Sequence, residues 1–186
     1  MAIRTRTESR LLDAAEELFF TRGITATPVD AVLERAGVSA ATLYRGYPSK
    51  EALLAAALER RHLAWLAAWD RAVDRQDAPE GRLLAVFDAL DDFRQQPVGS
   101  RWCAFLGSAA EYADAPPEVA EAVHRDTDAL RDRLTALAAP VAGQHAGALA
   151  EQLLLVVTGD LAMRLRDPGY GTATARAVAA ALVAAR

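Results

Sequence analysis

Apolar residues along this chain recur at spacings of three and four, and the runs that carry this period are separated by glycine, proline and small polar residues. The first run, Leu11, Ala14, Ala15, Leu18 and Phe19, predicts a helix over Thr5–Arg22, opened by a Thr5-x-x-Glu8 capping box and closed by Gly23. The second has Thr27 as N-cap, Pro28 at the first helical position and Asp30 in the first turn. Val29, Val32, Leu33 and Ala36 then sit at i, i+3, i+4 and i+7, and Gly37 stops the helix, because the residue past a helix end often needs the left-handed conformation. Ser39 caps a third helix, Ala40 to about Gly46, and Pro48-Ser49 separates it from the next. Two short helices about a glycine turn form the helix-turn-helix pattern, whose second helix can enter a DNA major groove; an ordinary helical hairpin has the same outline.

The neighbour begins at once. Ser49, with Glu51 in the first turn, predicts a long helix to about Arg75, whose apolar residues (Leu53, Leu54, Ala57, Leu58, Leu63, Trp65, Leu66, Trp69) spread over more than one face. Such a helix is ~39 Å long, enough to leave a small domain and cross a second without a flexible linker. Pro79 opens a fifth helix, about Glu80 to Gln96, with Leu83, Leu84, Phe87, Leu90 and Phe93 inward. Pro97-Val98-Gly99-Ser100 breaks it before a short aromatic helix from Arg101 to about Ala113. A seventh runs from Glu118 to about Ala139, where Pro140 stops it, with Val119, Ala122, Val123, Leu130, Leu134 and Leu137 inward. The eighth, about Ala146 to Arg166, is strongly apolar, and Thr172 caps an alanine-rich ninth to Ala185. The expectation is an all-α chain of about nine helices: three small ones and a six-helix bundle.

Composition narrows the class. At 186 residues, 52% hydrophobic and 25% charged, the chain suits a helical protein with one sizeable core or a small domain fused to a larger one. No uninterrupted apolar run reaches the ~18 residues of a membrane span, and the first ten residues lack the apolar core of a signal peptide, so a cytoplasmic location without membrane contact is the default expectation. The single Cys103 excludes an intrachain disulfide framework, and no Cys/His cluster has metal-ligand spacing. There is no nucleophile–base pairing or phosphate loop, so neither an enzyme nor a cofactor is expected. The net charge of −4 looks wrong for a DNA binder until it is divided. Residues 1–50 carry seven Lys/Arg against six Asp/Glu, net +1, and residues 51–186 fourteen against nineteen, net −5. The one lysine among 21 basic residues is Lys50, at the end of the helix-turn-helix stretch.

The block LLDAAEELFFTRG at 11–23, the AGVS turn at 36–39, Thr42-Leu43-Tyr44 and YPSKEAL at 47–53 together resemble the TetR (tetracycline-repressor) family of bacterial transcriptional regulators. The similarity covers residues 9–58; beyond them it rests on helix count alone. It implies a DNA-binding domain over 1–50 and an effector-binding and dimerisation domain over 51–186. It also implies a homodimer on double-stranded, palindromic operator DNA, usually a repressor, with a small apolar or amphipathic effector that changes the separation of the recognition helices. Two half-sites lie ~34–36 Å apart, so a small change in spacing costs both contacts together.

The resemblance places DNA contacts at Thr27, Ser39, Ala40, Thr42, Tyr44, Arg45, Tyr47 and Lys50, with Leu43 turned to the core. Ala40, Ala41 and Gly46 are small where family members often carry longer side chains. Affinity is then expected to rest on phosphate contacts around Thr27, Tyr44 and Lys50, and readout on Thr42, Tyr44, Arg45, alanine contacts to thymine methyls and DNA shape. An N-terminal arm with Arg4 and Arg6 either enters a minor groove or is disordered. For the effector, Trp65, Trp69, Phe87, Leu90, Trp102, Cys103, Phe105, Leu106, Tyr112 and Met163 line a cavity or simply fill the core. His62, His124, Glu111 and Asp160 are the polar groups available to orient a ligand. Cys103 is expected to be a buried, inert thiol, with Arg101 the one nearby charge. Leu153, Val156, Val157 and Leu161, with Ala173, Ala177, Ala180, Ala181 and Ala184, form either the dimer face of the last two helices or bundle core. Two other classes stay open: an architectural DNA-binding protein without an effector, and, more weakly, a helical-bundle enzyme.

Overall fold

The buried faces of the helices are those the three-and-four spacing marks. The structure, a computed structural model, describes residues 5–96, 103–112 and 114–185. Within these lie nine α-helices: α1 (Thr5–Arg22), α2 (Val29–Ala36), α3 (Ala40–Gly46), α4 (Lys50–Asp74), α5 (Pro79–Arg94), α6 (Ala104–Glu111), α7 (Pro117–Ala142), α8 (Ala146–Arg166) and α9 (Ala173–Ala184). A 3-10 turn, Gly143–His145, separates α7 from α8. No strand occurs among the described residues.

The helices form two compact units, Met1–Arg61 with Cys103–His124, and His62–Trp102 with Arg125–Arg186. The first does not end at residue 50. Leu53, Leu54, Ala57 and Leu58 of α4 are fully buried in one apolar cluster with Leu11, Phe19 and Phe20 of α1 and Leu43 of α3. Phe105 of α6 and Val119 of α7 belong to the same cluster. Three short helices cannot bury enough apolar surface alone, so the start of α4 and the α6 region complete their core. Arg60 of α4 adds ion pairs to Asp13 at 2.9 Å and Glu16 at 2.5 Å on α1. The second unit has its own core, in which Trp69, Leu83, Phe87, Leu134, Leu149 and Leu153 are fully buried.

Several local expectations change. Proline 140 does not stop α7, which continues to Ala142. A proline so near a helix end forfeits a single main-chain bond, and termination falls to Gly143, at φ +52. The aromatic sixth helix is shorter than the 101–113 expected, and Trp102, Arg101 and the 97–100 break lie outside the described residues. Thr172 precedes α9 without capping it; its hydroxyl donates to Asp91 Oδ2 at 2.5 Å instead. Within the helical stretch Pro117–Arg166, one 18-residue window is apolar enough, by length and composition alone, to pass for a membrane span. Apolar residues of that stretch, Leu134, Leu149, Leu153 and Val157, are spent on the second core.

Candidate nucleic-acid interface

The α2–α3 turn is set by Gly37. Its φ of 62° and ψ of 45° are left-handed, its N–H donates to Glu34 O at 3.1 Å, and the Val38 N–H donates to Leu33 O at 3.1 Å. This pair of bonds satisfies the last carbonyls of α2 in the Schellman arrangement and reverses the chain within two residues. Arg10 of α1 donates to Gly37 O at 3.2 Å and so ties the turn to the first helix. Ser39 then caps α3: its hydroxyl accepts from the Thr42 N–H at 3.3 Å and lies 2.9 Å from the Thr42 hydroxyl. With Leu43 fully buried, the rest of the helix faces outward: Ala40, Ala41 and Arg45 are exposed, Tyr44 is 53% exposed and Thr42 half-buried. The structure thus gathers Ser39, Ala40, Thr42, Tyr44 and Arg45 on one short, exposed helix and its cap.

Three expected contacts are placed differently. Thr27 is not the α2 cap, which is Pro28, and it is buried. Its hydroxyl donates back to Gly23 O at 2.7 Å, and its N–H to Ile24 O at 3.2 Å, so neither group is offered to a phosphate. Tyr47 is buried as well, and its hydroxyl donates to Glu8 Oε1 at 3.2 Å. Burial, followed by the Glu8 carboxylate, pushes that phenol up to about 12. Glu8 therefore serves Tyr47, while Thr5 is itself the first helical residue, and the expected capping box gives way to a bond between α1 and the end of α3. Arg6 lies in the first turn of α1 and not in an extended arm; Arg4 lies outside the described residues.

Lys50 is half-buried, and its ammonium is anchored. Nζ donates to Ile24 O at 2.5 Å and stands 5.7 Å from the centre of the Phe19 ring. An ammonium has three protons, so one such bond leaves two for an oxyanion. The same α1–α2 turn is held from a second side. Glu111, the last residue of α6, accepts from the Ile24 N–H at 3.0 Å and the Thr25 N–H at 2.8 Å. No sequence pattern marks this pairing, which joins residues 86 and 87 positions apart. Beside it, the Tyr112 phenol is pushed up, by burial first and then by the carboxylates of Glu51 and Glu111.

Most residues expected to line an effector pocket divide between the two apolar cores. Phe105 belongs to the first core, with Cys103 and Tyr112 packed against it, and Leu106 is half-buried on the same helix, α6. Cys103 is half-buried, not fully buried as expected. Trp69, Phe87 and Leu90 belong to the second core, with Trp65 against them, 5.6 Å from Trp69 and 5.8 Å from Phe93. Met163 is exposed, and Trp102 is outside the described residues. Of the polar candidates, buried His62 has Nδ1 2.8 Å from Asp126, buried Asp160 pairs with Arg164 at 2.8 Å, and Glu111 holds the α1–α2 turn. His124 is exposed. On the last two helices, Leu153 and Val157 are bundle core, and Val156 and Leu161 are half-buried against it. Leu155, at 74% exposure, Met163, Leu165 and Val178 are the large apolar side chains that face outward with Ala173, Ala177, Ala180, Ala181 and Ala184.

Comparison with known proteins gives a consistent result. Residues 11–57 match the model of the family described as bacterial regulatory proteins, tetR family. That span runs from the core residue Leu11 into the buried start of α4. The crystal structure of a TetR-family transcriptional regulator from Streptomyces coelicolor superposes with a TM-score of 0.86 and 30% identity, over 98% of this chain and 96% of that one. A tetR-type regulator from Streptomyces avermitilis gives a TM-score of 0.81 and 27% identity, over 96% and 97% of the two chains. The HTH-type transcriptional activator FasR of Mycolicibacterium smegmatis is 26% identical over 167 residues, 90% of this chain and 73% of that protein.

Proposed function

This chain belongs to the TetR family of DNA-binding transcriptional regulators, and we propose that it acts in the cytoplasm as a homodimeric repressor of a palindromic operator, released by a small apolar or amphipathic effector. Operator contact falls to residues 1–50, and effector sensing and dimerisation to 51–186. The observation that carries the reading is the exposed face of α3, with Tyr44 and Arg45 outward on a helix pinned by buried Leu43, beside the anchored ammonium of Lys50. Ala40 and Ala41 offer the bases only methyl contact, so affinity rests on phosphates and sequence preference on Thr42, Tyr44, Arg45 and groove shape. The outward Leu155, Met163, Val178 and alanines of α8 and α9 support a dimer face, since a lone chain rarely exposes a run of that kind. For the effector, support comes from the Trp65, Trp69, Phe93 cluster, where the buried Trp69 indole N–H has no acceptor among the described residues.

The test begins with an operator selected from a random duplex pool by repeated rounds of binding. Tyr44→Ala and Lys50→Ala should each weaken gel-shift binding at least tenfold while the dimer persists; unchanged binding by both removes these residues from the interface. Thermal-shift screening of small molecules, with and without operator, tests the effector: a ligand that stabilises the protein and releases DNA supports release by linkage. A second reading, activation, is favoured by the similarity to FasR, which is named an activator. A reporter gene behind the selected operator separates the two by the sign of its response.

A further inference from the structure

We infer that Glu111 is a positioning residue for operator binding, which holds the α1–α2 turn and, through one peptide plane of that turn, the ammonium of Lys50. The inference rests on the reading of Lys50 as a phosphate contact. The geometry is specific. The Thr25 N–H and the Ile24 C=O belong to the same planar peptide unit. Glu111 Oε2 accepts from the N–H at 2.8 Å, and Lys50 Nζ donates to the carbonyl oxygen at 2.5 Å. The second carboxylate oxygen accepts from the Ile24 N–H, at 3.0 Å, on the preceding peptide. An anion and a cation thus grip opposite ends of one amide, and each polarises it in the sense that strengthens the other's bond.

The turn needs such help. Gly23 takes φ +96°, which turns the chain out of α1 and leaves the next two N–H groups facing away from any helix carbonyl. Ile24 is buried, so its N–H has little water to fall back on. The Thr27 hydroxyl holds the other side, bonded to Gly23 O and Leu18 O at 2.7 and 3.3 Å. With Glu111 removed, the 24–25 plane loses its hold at the N–H end and is kept only at its carbonyl, by Lys50 and by the Thr27 N–H at 3.2 Å, so it is able to tilt. The carbonyl that seats Lys50 then moves with it, and a phosphate no longer meets a fixed ammonium. Glu111 itself lies on α6 and its carboxylate is bonded to the Ile24 and Thr25 amides; it acts through Lys50.

The test compares wild type with E111Q, K50M and the double variant. Glutamine keeps the shape of Glu111 but offers one neutral acceptor in place of two charged oxygens. Amide exchange in the DNA-free protein is read first. In E111Q the Ile24 and Thr25 amides should exchange about tenfold faster, the scale of a lost charge-assisted bond, while those of Leu18 and Leu53 keep their protection and certify the fold. Unchanged Ile24 and Thr25 protection overturns the latch. Operator titrations across a salt series follow. E111Q should weaken binding about tenfold in the wild-type background and less than about twofold in K50M, because a residue acting through Lys50 has nothing left to position. Equal losses in both backgrounds overturn action through Lys50. If K50M leaves affinity and salt slope unchanged, Lys50 is no phosphate contact and the inference falls with it; the exchange data then show whether the latch failed too.

Discussion

Replacing Gly37 by alanine probes the turn that orients the recognition helix. At φ 62°, ψ 45° an L-residue brings its Cβ against the following carbonyl, which costs roughly 1–2 kcal/mol. Stiffening of the unfolded chain returns about 0.4–1 kcal/mol. The new Cβ also meets Arg10 Nη2 at 2.5 Å, closer than real contacts allow. The guanidinium is the far end of a flexible side chain and swings aside, losing its 3.2 Å bond to Gly37 O at the surface, worth about 0.5 kcal/mol. The net expectation is a loss of about 0.5–2 kcal/mol, read as a lower urea midpoint at unchanged slope. Gly37→Asn, which tolerates the left-handed region better, should lose less, and Arg10→Ala should cost about 0.5 kcal/mol in wild type but nothing further in the Gly37→Ala background, where that bond is already gone. Operator affinity should fall in the same order, since the turn aims α3. An alanine variant as stable as wild type, or more stable than the asparagine variant, refutes the argument.

Other outcomes follow from the same structure. Tyr47 holds its proton up to about pH 12 in the folded state and about 10 unfolded, so stability present below pH 10 is lost as pH rises toward 12. With screening at this part-buried hydroxyl the loss is about 1 kcal/mol, and Tyr47→Phe should abolish it in urea titrations between pH 9 and 12; an identical alkaline slope in the variant counts against the Glu8 bond. Asp160 and Arg164 form a buried pair in which burial, foremost, raises the carboxyl. Asp160→Ala should leave the buried arginine with only Asp91, at 3.6 Å, and cost about 3 kcal/mol, whereas Asp160→Leu with Arg164→Met should match or exceed wild type; a double variant as unstable as the single one refutes the cost assigned to the unpaired charge. If the proposed dimer pairs through Leu155, Leu155→Glu should weaken it by about 3 kcal/mol, two leucines lost from one interface, and dissociate it at micromolar concentration in sedimentation. A sedimentation profile unchanged from wild type moves the dimer face elsewhere.

What the sequence determined by itself was local and periodic. The end of the first helix at Arg22 and both ends of the eighth, Ala146–Arg166, fall where the spacing puts them, and Gly37, Ser39 and Ser49 act as expected, because a helix face, a left-handed stop and a cap are each written within about seven residues. The motif carrying the family resemblance was legible for the same reason, as were the outward face of α3 and its buried Leu43. The tertiary structure decided where polar groups spend their bonds. Thr27 and Thr172 read as caps, yet the Thr27 hydroxyl turns back to Gly23 O, four residues earlier, the Thr172 hydroxyl goes to Asp91, and the Tyr47 phenol goes to Glu8, 39 residues away. The apolar side chains of α8 divided likewise: Leu153 and Val157 inward, Leu155 outward, a choice fixed by the helices packed against it, since the run Leu153–Val157 is apolar on every side. Glu111 is the clearest case. In sequence it is a charge near aromatics, and only folding brings it to two amides 86 and 87 residues earlier. Main-chain periodicity is a property of neighbours along the chain, whereas the partner of a buried donor or charge is a property of whatever the fold brings within 3 Å.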